Sequence, residues 1–267
     1  MNSNQSIFGK GLTVVLPALL LMCGFTLTAV SANELTIGAA INKAGKQRMI
    51  TQRVLKDYAL AGMHIELGDP AGDLKNLIAL FDSSLADLKQ FSTSDELNKS
   101  LASIEKQWTP IRATLQDAPD RARAASLQEE LDELLAACHK NTLLIAKSAN
   151  NKTGDIVNLA GRQRMLSQRM AALYMLKAWK LDDPKFREKL TGAMDEFSAA
   201  QKTLEASPLS SDEIQALLAR VKKSFAWFEM MGRSSSNRVI PNLINKSANS
   251  IQADMDKATA LYAHANQ

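Results

Sequence analysis

The strongest constraint on this chain is that it repeats itself. The segment Ile41-Asn42-Lys43-Ala44-Gly45-Lys46-Gln47-Arg48-Met49-Ile50-Thr51-Gln52-Arg53 returns as Val157-Asn158-Leu159-Ala160-Gly161-Arg162-Gln163-Arg164-Met165-Leu166-Ser167-Gln168-Arg169. Over positions 41–60 and 157–176, ten of twenty residues are identical, including Tyr58/Tyr174 and Leu60/Leu176. Asp69-Pro70 recurs as Asp183-Pro184, and Ser94-Asp95-Glu96-Leu97 as Ser211-Asp212-Glu213-Ile214. Near each unit's end, Leu144 to Asn150 resembles Leu243 to Asn249. The chain is therefore a tandem duplication, and its fold must be one that can be doubled.

Each unit reads as helical. Ala, Leu, Lys, Gln and Met dominate, runs of β-branched residues are scarce, and 46% hydrophobic content against 22% charged is enough to build a core. The motif helix of each unit stops near Gly68-Asp69-Pro70 or Asp183-Pro184, where a Pro at the first helical position begins the second. Capping residues at Ser92-Thr93-Ser94 and at Ser207-Pro208 open the third, and Pro110 is expected to kink it in unit one. Loops through Asp117 to Asp120 and through Gly232 to Asn237 lead to the fourth. The expected architecture is all-α: two tandem four-helix up-down bundles, at 33–150 and 151–267, with helices of roughly 22–30 residues. The joint from Asn150 to Asp155 favours a reversal that would set the bundles side by side with their motif helices parallel.

Residues 1–32 read as a signal peptide. A lone Lys10 precedes an apolar run from Leu12 to Val30, and Val30-Ser31-Ala32 suits cleavage after Ala32. An uncleaved membrane anchor is the alternative, and either places the remainder in the periplasm. No second apolar stretch of spanning length follows, so a signal is expected to pass through another protein. Beyond the leader only Cys138 remains, which leaves no internal disulfide.

The repeated residues favour one side of the helix. Asn42, Gly45, Arg48, Met49, Gln52, Arg53 and Leu60 fall within an arc of about 140° at the helical period. A bundle helix ordinarily preserves its Leu/Ile stripe and lets polar positions drift. Here Asn, Arg and Gln survive beside a Gly that costs about 1 kcal/mol relative to Ala, so something approaches the backbone closely. Leu35–Lys56 carries five bases and no acid, and Ile156–Leu181 again carries five bases and no acid, on a chain whose net charge is only +4. Positive charge concentrated this way attracts an anion, and the guanidinium fork suits a planar oxyanion. The bland alternative is that these arginines are solvated or paired with acids on neighbouring helices.

The pattern Asn-Lys-Ala-Gly-x-x-Arg-Met-x-x-x-Arg on the first helix of a four-helix periplasmic bundle resembles the sensor domain of nitrate/nitrite sensor histidine kinases. It is equally similar to the N-terminal domain of type IV pilus methyl-accepting chemotaxis transducers. The resemblance implies that motif helices meet at an interface where a symmetric pair of arginines grips an anion. The matching positions are Arg48 and Arg164, with Gly45 and Gly161 permitting close packing, Asn42 and Asn158 opening the motif, and Arg53 and Arg169 forming a second basic position. Leu159 departs from the motif's Lys, although Arg162 restores charge nearby. With two units in one chain, Arg48 is expected to stand opposite Arg164 around a single anion.

Other chemistries find little support. No Glu-x-x-His suggests a di-iron centre, Leu135 replaces the first cysteine of a haem c attachment at Cys138-His139, and His64, His139 and His264 are scattered. No nucleophile elbow or phosphate loop stands out, so neither an enzyme nor a cofactor or metal site is expected. An exported chain without interleaved aromatics is a poor nucleic-acid binder. The expected function is a module that senses a small oxyanion, nitrate or nitrite by resemblance, for a membrane-bound transducer or transporter; a further homodimer stays open. The alternative is a structural or interaction module without ligand.

Overall fold

Two tyrosines at equivalent places, Tyr58 and Tyr174, show how each unit closes on itself. The hydroxyl of Tyr58 accepts the amide of Asp120 at 2.8 Å, and that of Tyr174 accepts the amide of Ile240 at 2.8 Å. Each ties the motif helix to the loop that enters the last helix of its unit. This explains why Tyr survives off the arginine face.

The computed structural model describes residues 35–92, 94–148, 152–181, 183–232 and 239–264, with the side chains of 152 and 153 not described. The leader, its cleavage site, and parts of the inter-unit joint and of the loop after Gly232 lie outside the described residues. Among the described residues eight helices run in order: α1 (Ile37–Gly62), α2 (Pro70–Phe91), α3 (Asp95–Gln116), α4 (Arg121–Ser148), α5 (Lys152–Ala178), α6 (Pro184–Glu205), α7 (Asp212–Gly232) and α8 (Pro241–His264). The described residues hold no strand. The fold is all-α, two tandem four-helix bundles as expected, and α3 runs uninterrupted through Pro110.

The helices begin where the sequence says they should. Asp69 Oδ1 accepts the amide of Gly72 at 2.9 Å, Ser94 that of Leu97 at 3.2 Å, and Asp183 that of Lys185 at 2.9 Å. Their ends are less obvious. Both α1 and α5 stop before the expected glycine or aspartate, on His64 and Lys180 in the left-handed region (φ 55° and 66°). Ile65 N reaches Leu60 O and Leu181 N reaches Leu176 O, each at 3.0 Å, so two Schellman turns end the motif helices without a glycine. Left-handed backbone costs a side chain that glycine would relieve. His64→Gly and Lys180→Gly are each expected to stabilise the protein by about 0.5–1 kcal/mol, read as a rise in urea midpoint at constant slope.

Within each unit the core pairs equivalent rings: Phe81 stacks on Trp108 with centroids 4.1 Å apart, and Phe197 on Phe225 at 4.4 Å. The units then pack through their motif helices. α1 lies against α5 as well as α2 and α4, and α5 against α1, α6 and α8. Cross-contacts keep a near-constant offset, Gln52 meeting Arg169 and Gly62 meeting Trp179, so α1 and α5 are parallel and α4 runs antiparallel to both. The bundles therefore stand side by side about a pseudo-two-fold axis, and residues 34–267 form one compact unit. Central placement leaves α1 little solvent face. It buries residues on nearly every side, including Gln47, Arg48, Gln52, Lys56 and Asp57.

One sequence correspondence does not survive. Leu144–Ser148 lies at the end of α4, whereas Leu243–Asn249 belongs in the first turns of α8. The tyrosine anchors show that α4 aligns with α8 at an offset near 117–120, so this similarity does not mark equivalent places.

Candidate functional site at the motif-helix interface

Side chains on a helix lean toward its N-terminus, so an arginine three residues after a glycine extends over that glycine's turn. Arg48 does this on α1 and Arg164 on α5, and parallel packing brings both guanidinium groups to one level. A Cβ on Gly45 would lie 3.1 Å from Arg164 Nη2 and 3.4 Å from Arg48 Nη2. One on Gly161 would lie 3.0 Å and 3.4 Å from the same two atoms. The glycines thus make room for a pair of arginines on the pseudo-two-fold axis. Both side chains are buried, at 1% and 0% exposure.

The partners of the pair are asymmetric. Arg164 Nη1 donates to Asp256 Oδ1 at 2.6 Å. At the equivalent place on α4 stands His139, whose Nδ1 accepts from Arg48 Nη1 at 3.1 Å, while Arg48 Nη2 donates to the backbone oxygen of Asn158 at 3.4 Å. Arg48 Nε, Arg164 Nε and Arg164 Nη2 are buried without a hydrogen-bond partner, as are the Oδ1 atoms of Asn42 and Asn158. Two buried positive charges therefore share one carboxylate. Unit charges about 6 Å apart repel by roughly 3 kcal/mol at an effective dielectric near 20. Burial, and next the charge of Arg164, push Arg48 down to about 9, still protonated at neutral pH. Arg164 is also lowered, by burial, against the opposing pull of Asp256.

A family model described as the type IV pili methyl-accepting chemotaxis transducer N-terminal domain, PilJ, matches residues 29–138 and 145–229. The chain belongs to the PilJ family. The two matched stretches follow the two repeats, the first reaching into α4 and the second running from the end of α4 into α7. No curated protein and no solved structure matches the chain. PilJ domains are sensory, non-catalytic N-terminal domains of transducers, working on the outer side of the membrane. Among the described residues no helix is long and apolar enough to cross a membrane.

Not every motif residue of this PilJ chain reaches the arginine pair. Gly45 and Gly161 border the pair and Asn158 accepts from Arg48 through its backbone oxygen, while Asn42 Oδ1 accepts from neither arginine. Arg53 instead meets Asp73 at 3.2 Å and Asp57 at 3.5 Å, and Arg169 meets Asp132 at 2.5 Å. These two are held by acids on their own or neighbouring helices, as the bland reading of the arginines expects. Hydrogen bonds from Arg169 and Lys189 overcome the effect of burial and hold Asp132 below the usual carboxylate range. Cys138 is fully buried and its thiol is pushed up to about 12, which suits a packing residue rather than a nucleophile. Among the described residues no group of His, Cys, Asp or Glu has metal-ligand geometry.

His139 and Asp256 are the site residues that sequence reasoning missed. Aligning α4 with α8 at an offset of 117 would have paired them, but the misleading Leu144/Leu243 similarity drew the alignment elsewhere.

Burial, reinforced by the charges of Arg48 and Arg162, pushes His139 down to about 4. An unfolded histidine titrates near 6.5. Between those values the unfolded chain carries the extra proton, so stability is full above about 6.5 and falls as pH drops toward about 4. His139→Gln keeps an acceptor for Arg48 but does not titrate. Its melting temperature is expected to fall less than that of the wild type between pH 6.5 and 4.5.

Proposed function

We propose that this chain is an exported sensing module that binds one small planar oxyanion, nitrate or nitrite, between Arg48 and Arg164. The observation that carries the reading is the buried arginine pair with a single carboxylate. An anion placed there would supply the missing negative charge and accept from the unpartnered Arg48 Nε and Arg164 Nη2. Duplication gives both arginines from one chain, so the site needs no second subunit. Output is then carried by a membrane-bound transducer or transporter that reads the α1–α5 packing, on the periplasmic side of the membrane.

Isothermal calorimetry with nitrate, nitrite and chloride tests this. Nitrate or nitrite is expected to bind, chloride more weakly, and Arg48→Ala to abolish the heat. An Arg48→Ala protein that binds as tightly as wild type removes the proposal. A sharper variant is His139→Asp, which gives Arg48 the carboxylate that Arg164 already has. It is expected to melt at a higher temperature without anion and to bind nitrate at least tenfold more weakly, about 1.4 kcal/mol.

The Arg164–Asp256 pair favours a second reading, in which the motif helices are an internal scaffold without ligand. Under that reading no small anion raises the melting temperature beyond its general salt effect.

A further inference from the structure

Beside the arginine pair the duplication has diverged into a space far larger than nitrate needs. A solvent-open cleft of about 530 Å³ lies among α4, α5 and α6, with Arg48 among its lining residues. Its charged lining comprises Arg48, Arg162, Arg169 and Lys189 against only Asp132 and Glu196. Asp132 is shared, meeting Arg169 at 2.5 Å and Lys189 at 2.9 Å, and Glu196 is taken by Arg162. His139 is neutral at pH 7, so two positive charges stay uncompensated, one of them the buried Arg48 with its unpartnered Nε. Between the charges the wall is apolar, built from Leu135, Met165, Leu166 and Ala193.

The space results from specific replacements. At the repeat offset of 116, Ala193 stands where α2 has Leu77, and Gly192 where α2 has Asn76. A Cβ on Gly192 would meet nothing within 4 Å, so no protein neighbour requires glycine there, although it weakens α6 by about 1 kcal/mol relative to Ala. On the pseudo-symmetric face, Asp256 replaces His139 and Asp73 replaces Lys189, so Arg164 and Arg53 each have a carboxylate. At the equivalent positions Arg164, Lys46 and Arg53 stand against Asp256 and Asp73, so that face keeps one excess positive charge where the cleft keeps two.

We infer that this cleft is a second binding site, for an organic dianion with an apolar body: a dicarboxylate or phosphate monoester of the size of a substituted benzene ring. One anionic group would meet Arg48 at the inner end, and the other the Lys189 and Arg169 side, with the apolar body against Met165 and Ala193. The two positions share Arg48, but the cleft opens to solvent between α4 and α6 and its other lining residues, Lys189, Arg169, Met165 and Ala193 among them, are ones the axial oxyanion position does not use.

Thermal shift and calorimetry on the full mature chain test the assignment, with phthalate, succinate and phenyl phosphate as probes and benzoate as the monoanionic control. At least one dianion is expected to bind ten times more tightly than benzoate. Gly192→Leu fills the mouth at an open position and favours the helix, so the variant should fold. It is expected to weaken dianion binding at least tenfold and to leave any nitrate response unchanged. No binding by any of the three dianions, or equal binding by wild type and Gly192→Leu, overturns the inference. The nitrate titration of the same two proteins reports separately on the axial site.

Discussion

Asp256→Asn is expected to lower the melting temperature of the anion-free protein by roughly 6–12 °C, corresponding to about 3 kcal/mol in a domain of this size. Asp256 is the carboxylate that meets the buried pair, at 2.6 Å from Arg164 Nη1. Asparagine keeps the shape and an acceptor oxygen but removes the charge. Arg164 then stays fully buried beside Arg48 without the carboxylate that met it. Desolvation costs of this kind are normally escaped by losing the proton, but an arginine holds its proton too tightly to do so at neutral pH. The deficit should be reversible from outside: millimolar nitrate is expected to return most of the lost melting temperature, and its affinity for the variant to exceed that for wild type at least tenfold. Melting curves with and without nitrate, at constant ionic strength, decide it. A variant that melts like wild type would mean that the pair is not short of negative charge, and the anion proposal would lose its physical basis.

Gly62→Ala is expected to destabilise the protein by about 1–3 kcal/mol, opposite in sign to what helix propensity alone requires. Gly62 sits in the last turn of α1, where Ala would ordinarily be favoured by about 1 kcal/mol. A Cβ there would lie 2.2 Å from Trp179 Cζ2 and 2.4 Å from its Cη2, so the indole must move. Trp179 is in edge contact with Tyr58, centroids 6.1 Å apart, and Tyr58 anchors the loop entering α4. Displacing the ring therefore disturbs the seam between the bundles and the closure of the first one. Urea denaturation of Gly62→Ala beside Ala178→Gly, the equivalent residue on α5, separates the effects. Only the first should show a loss larger than propensity predicts.

Several features of this protein were readable before any coordinates. The 116-residue offset determined the duplication, the Asp-Pro signals marked where α2 and α6 begin and Ser94 where α3 begins, and the paired Gly-x-x-Arg motifs identified the two arginines. Such signals are local: a cap, a turn and a close helix approach each depend on residues a few positions apart. The ends of α1 and α5 were placed several residues late, because His64 and Lys180 adopt a left-handed backbone that no glycine announces.

Repetition in the sequence thus established two like bundles and the arginines they share. Tertiary structure alone decided that one arginine would face a carboxylate and the other a histidine, and that a cleft would open beside the second. The reason is that charge compensation depends on which side chains stand within a few ångströms across helices distant in the chain, as Arg48 and His139, 91 residues apart, do. A similarity between α4 and α8 taken at the wrong offset concealed that pairing until packing brought the residues together.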